Sequence, residues 1–66
     1  MDDTMKRREL MKKLAALARA EGSAMQILEG AKHTKVSIGQ RQAVVPRHTD
    51  INELTARAIL RQMEAN

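Results

Sequence analysis

Apolar residues recur at Leu10, Leu14 and Leu17, with Met11 and Ala18 beside them, a single stripe at a 3.6-residue period. Lys6, Arg8, Lys12, Lys13 and Arg19 fall on the opposite arc, and alanines at 15, 16, 18 and 20 favour helix. The pattern predicts a helix from about Lys6 to Ala20, capped at its C-terminus by Gly22. Past that glycine the period changes to two. Thr34, Val36 and Ile38 alternate with His33, Lys35 and Ser37, as in a half-buried antiparallel strand. Ala24 to Leu28 reads as a preceding strand, joined to it through a turn at Glu29, Gly30 and Ala31. Gly39-Gln40 fits a two-residue type II′ hairpin, Arg41 to Val45 the returning strand, and Pro46 its stop.

After a loop at PRHTD, Asp50 and Glu53 have capping-box spacing, which predicts a second helix starting there. Ile51, Leu54, Ala58, Ile59, Leu60 and Met63 form its broad apolar face, and Glu53 and Arg57 stand at i, i+4 in the favourable order. The expected order is helix, strand, strand, strand, helix. The expected fold class is α+β, with both helices packed on one face of a three-stranded antiparallel sheet. His33, Lys35 and Ser37 would then lie on the open face. Residues 1–4 read as a flexible tail ahead of one domain spanning 5–66, and Met5 is a second candidate start.

Size and composition sharpen this picture. A chain of 66 residues buries only about 60% of its unfolded surface, so its core is marginal. It has no cysteine for disulfides and no aromatic residue, so Leu, Ile, Val, Met and Ala must fill the interior. Low intrinsic stability is expected, offset by assembly with a partner. No apolar run approaches 18 residues and no charged-then-apolar leader is present, so the expected location is the cytoplasm. The formal charge of +4 and pI of about 10.1 point to a polyanion or an acidic protein as partner.

Most catalytic templates fail. The chain has no cysteine nucleophile, no GxGxxG, no P-loop and no HExxH, and its two histidines lie fifteen residues apart without a cysteine to complete a zinc site. No cofactor or metal is expected. What remains is a basic surface carrying His33. RNA supplies its own nucleophile, the 2′-hydroxyl beside each phosphate, so a protein that cleaves it needs cations and a proton carrier. Histidine is the side chain that moves protons near neutral pH. Lys32 and Lys35 bracket His33 and would stabilise charge on the phosphorane. The plain alternatives are a solvated strand histidine, a His48 hydrogen-bonded to its own loop, and a basic helix face that only keeps the chain soluble. Lys6, Arg7, Arg8, Lys12 and Lys13 together also suit phosphate contact.

Three segments carry a resemblance that spans nearly the whole chain. They are MKRRELMKKL at Met5 to Leu14, EGAKHT at Glu29 to Thr34, and VVPRHTDINELTARAILRQ at Val44 to Gln62. In this order and spacing the chain resembles the HicA toxins of two-gene toxin–antitoxin systems. Those have a Met-Lys opening before an amphipathic helix, a Gly-x-x-His turn into a strand, and a Val-Pro-x-His run before a helix ending in Ile-Leu-x-Gln. The resemblance implies a double-stranded-RNA-binding-like α-β-β-β-α fold and a metal-independent endoribonuclease, an mRNA interferase that arrests growth until a HicB-like antitoxin covers it. It carries the family's catalytic histidine onto His33, its turn glycine onto Gly30, and its Pro-x-His loop onto Pro46 and His48, with a structural part for the latter two. Lys32, Lys35, Lys6, Arg8, Lys12 and Lys13 are the expected RNA-binding residues. The chain departs from the family at Ala31 and Lys32, at Leu54-Thr55 in place of a glycine-threonine pair, and in lacking aromatic residues. Two other functions fit the same charges: a non-catalytic RNA-binding module of this fold, and a basic protein-interaction domain.

Overall fold

A computed structural model describes residues 3–64 of the chain. The elements run β1 (Thr4–Lys6), α1 (Arg7–Glu21), β2 (Met25–Glu29), β3 (His33–Ile38), β4 (Arg41–Pro46), β5 (Asp50–Asn52) and α2 (Glu53–Met63). β2, β3 and β4 form an antiparallel sheet in that spatial order, and β1 pairs with β5 in a separate two-stranded sheet. The class is α+β, as the periodicities predict. Among the described residues no helix is long and apolar enough to cross a membrane.

The alternation along β3 sets the two faces. Thr34, Val36 and Ile38 are buried, and the cross-strand register brings Val45, Ala43 and Arg41 opposite them. Leu10, Leu14 and Ala18 of α1 and Ala56, Ile59 and Met63 of α2 complete that core, so both helices cover one face of the sheet. The opposite face carries His33 and Lys35, which are exposed, with Ser37 half-buried. In the middle row Leu28, Lys35 and Val44 stand side by side, and Leu28 and Val44 are 67% and 51% exposed.

The hairpin between β3 and β4 is the two-residue loop the sequence predicts. Ile38 pairs with Arg41, Gly39 has φ 61°, and Gln40 does not have positive φ. Positive φ at the first central residue alone is the type II′ pattern. α1 ends as predicted too, with Gly22 in the left-handed region at φ 71°, its N–H bonded to the carbonyls of Ala18 and Arg19. Arg41 donates to the Glu21 carboxylate, tying the end of α1 to the hairpin.

Several expectations are corrected. Thr4 belongs to β1, not to a tail; Met1 and Asp2 lie outside the described residues. Lys6 is extended, so α1 begins at Arg7. Glu29 ends β2 instead of opening the turn, and Pro46 ends β4 instead of following it. Proline is tolerated there because β4 is an edge strand.

The capping box of α2 is also corrected. Asp50 lies in β5, where it meets Lys6 at 2.6 Å, and Asn52 is the cap, its Oδ1 accepting from the N–H groups of Leu54 (2.9 Å) and Thr55 (3.4 Å). Within α2 the predicted face holds at Ile59 and Met63, which are buried, and at Leu60, half-buried against the core. Ala56 is buried, whereas Leu54 is 76% exposed and Ala58 is exposed. Ile51 is buried, but from β5.

The small sheet holds both helix starts. The first N–H of α1, on Arg7, donates to Thr49 O at 2.8 Å, and that of α2, on Glu53, donates to Asp3 O at 2.8 Å. Each helix thereby has one otherwise orphan donor satisfied by a neighbouring segment.

Candidate active site and nucleic-acid interface

Gly30, Ala31 and Lys32 connect β2 to β3. The Gly30 N–H donates to His33 O at 2.8 Å, closing the turn on itself. A Cβ on Gly30 would stand 3.0 Å from that same carbonyl oxygen. Any other residue would have to push that carbonyl back by a few tenths of an ångström. Arg47 clips the turn from the β4 side: its Nη1 donates to Gly30 O at 2.8 Å and its Nε lies 3.9 Å from Glu29 Oε1. His33 is the first residue of β3, pairs with Pro46 and is exposed on the open face.

Beneath His33 lies a polar joint. Thr34 is fully buried, a polar residue in an apolar row. Its hydroxyl donates to Glu29 Oε1 at 2.6 Å and accepts from Arg7 Nη2 at 2.6 Å, so both its functions are used. Arg7 Nε also donates to Pro46 O at 3.3 Å. Arg7 is the first residue of α1, so one guanidinium fixes the helix start against the strand pair that carries His33.

Two clefts meet at Arg47. One, of about 520 Å³, is lined by Lys6, Arg7, Arg8, Glu29, Arg47 and Thr49, four cations against one carboxylate. The other, of about 590 Å³, is lined by Ala31, Lys32, His33, Arg47 and His48. On its other side His33 borders a groove of the open face that includes Leu28, Lys35 and Val44. The first cleft is cationic on balance, with Arg7 and Arg47 near Glu29 and Lys6 paired with Asp50, and an excess of positive charge attracts anionic ligands. Among the described residues no group of three or more histidines and carboxylates is placed to hold a metal ion.

The structure divides the expected phosphate contacts. Lys32 and Lys35 flank His33; Lys6 and Arg8 line the first cleft, Lys6 while paired with Asp50. Lys13 instead borders a separate groove between the helices with Leu17 and Leu60, and Lys12 is exposed further along α1. Arg47 and Thr49 are site residues that sequence reasoning missed, and Arg7 has a positioning part not foreseen. A signal for Arg7 existed: Thr34 sits in a buried register, and a buried hydroxyl requires partners. Nothing local marks Arg47, whose contacts lie 17 residues away at Gly30.

Comparison with protein-family models, curated proteins and solved structures finds no match. The likeness to HicA toxins therefore rests on the three segments quoted above.

Proposed function

We propose that this chain is a metal-independent endoribonuclease that cleaves mRNA, the toxin of a toxin–antitoxin pair, on a double-stranded-RNA-binding-like fold. The observation that carries the reading is the setting of His33: an exposed imidazole at a glycine turn, on a cleft with Lys32 and Arg47, with Arg47 shared by a second cleft holding Lys6 and Arg8. Phosphates enter the cationic clefts, and His33 acts as general acid or base on the 2′-hydroxyl reaction. The neighbouring cations stabilise the phosphorane. A HicB-like antitoxin would cover His33 from the open face, where exposed Leu28 and Val44 flank Lys35 and offer apolar anchors beside the charge.

The test is incubation of the purified protein with an mRNA fragment in excess EDTA. The expected products carry 2′,3′-cyclic phosphate and 5′-hydroxyl ends, the signature of attack by the adjacent 2′-oxygen. RNA that is bound but stays intact would replace this reading with the non-catalytic module. Absence of RNA binding at low salt would favour the protein-interaction domain.

A further inference from the structure

We infer that His48 is the second proton carrier of the cleavage reaction, paired with His33 across one cleft; this rests on the ribonuclease reading above. That reaction moves two protons. The 2′-hydroxyl gives one up as its oxygen bonds to phosphorus, and the 5′-oxygen takes one as the P–O5′ bond breaks. The products are a cyclic phosphate and a 5′-hydroxyl, with no net change in protons. In an in-line displacement the two oxygens lie on opposite sides of phosphorus. Each proton carrier must come within about 2.6–3.2 Å of its own oxygen, so one imidazole serves only one of them.

The topology supplies the second imidazole. His33 pairs with Pro46, and His48 lies two residues beyond Pro46. The chain leaves β4 after Pro46, and its next residues stay at this end of the sheet: Arg47 reaches back to Glu29 and Gly30, and His48 lines the same cleft as His33. One histidine comes from β3 and the other from the β4–β5 connection, so they approach the cleft on two separate segments.

The ring of His48 is also free for such work. It is exposed, and among the described residues neither imidazole makes a side-chain hydrogen bond. The loop is fixed without it, by Arg47 on Gly30 O and by the Arg7 N–H on Thr49 O. Lys32 and Arg47, on the same cleft, supply the positive charge a phosphorane needs.

The experiment compares two RNA substrates, one natural and one with sulfur replacing the bridging 5′-oxygen at the scissile phosphate. A thiolate leaves without being protonated, so the sulfur substrate needs only the base. Wild-type protein, His33→Ala, His48→Ala and His48→Gln are assayed on both. The natural substrate should be cut about 10²- to 10⁴-fold more slowly by each variant. On the sulfur substrate one histidine position, and only one, should recover to near the wild-type rate, identifying the acid. Each variant serves as its own control, so a folding defect cannot imitate recovery. Wild-type rates in both His48 variants on the natural substrate would overturn the inference and leave the ribonuclease reading standing. Recovery at neither position, or at both, would also overturn it. A wild-type protein that cuts neither RNA would overturn the ribonuclease reading itself.

Discussion

Gly30 connects backbone geometry to the candidate chemistry in one residue. Its N–H closes the turn on the carbonyl of His33, and a methyl group at its Cα would press on that oxygen at 3.0 Å. Gly30→Ala should therefore move the imidazole and strain the turn, costing about 1–3 kcal/mol as overpacking does. Calorimetry should show a melting point lower by at least about 4–8 °C, the shift that 1 kcal/mol gives a domain of this size. An unchanged melting point would mean that the turn relaxes freely. Thr34 makes a second prediction at this scale. Thr34→Val keeps the shape but removes the hydroxyl between Arg7 and Glu29. Its partners, half-buried Arg7 and exposed Glu29, can turn to solvent, so loss of the two hydrogen bonds should destabilise the protein by about 0.5–1.5 kcal/mol in denaturant titration. The turn and its histidine were readable in EGAKHT because glycine and alternation are local signals. The joint below was not, because Arg7 and Thr34 are 27 residues apart.

Among the elements, the amphipathic helix, the alternating strand and the glycine hairpin were all readable, since each repeats a period over enough residues to be counted. The two three-residue strands were not. Three residues show no period, and β1 and β5 pair Thr4 with Asn52 across most of the chain. Missing β5 displaced the start of α2 and with it the cap. The correction makes a paired prediction. Asn52→Ala should cost about 1 kcal/mol, as loss of a helix cap does. Asp50→Ala should cost less, because its pairing with Lys6 is half-exposed and screened by solvent. Thermal melts of the two variants decide between Asn52 and Asp50; the reverse order would restore the capping box.

For the molecule as a whole, half of the twelve lysines and arginines border the candidate chemistry. Lys6, Arg7, Arg8 and Arg47 line one cleft, and Arg47 leads to Lys32 and the histidines. Single-stranded RNA bound there should dissociate with rising salt, with a log–log slope of about −0.7 per phosphate contacted. Arg8→Ala should reduce that slope by about one contact, whereas Lys13→Ala, on a separate groove, should leave it unchanged. Filter binding at several salt concentrations measures both. The net charge was evident from composition, but its partition between clefts was not, because only the fold brings the 47–49 loop beside the start of α1. The central claim is that His33 moves a proton in RNA cleavage, and the direct measurement is the cleavage rate of His33→Ala beside wild type, with RNA affinity and melting point taken on the same preparations. The account predicts a rate lower by about 10²- to 10⁴-fold with affinity and melting point nearly unchanged. A variant that cuts RNA at the wild-type rate would contradict it.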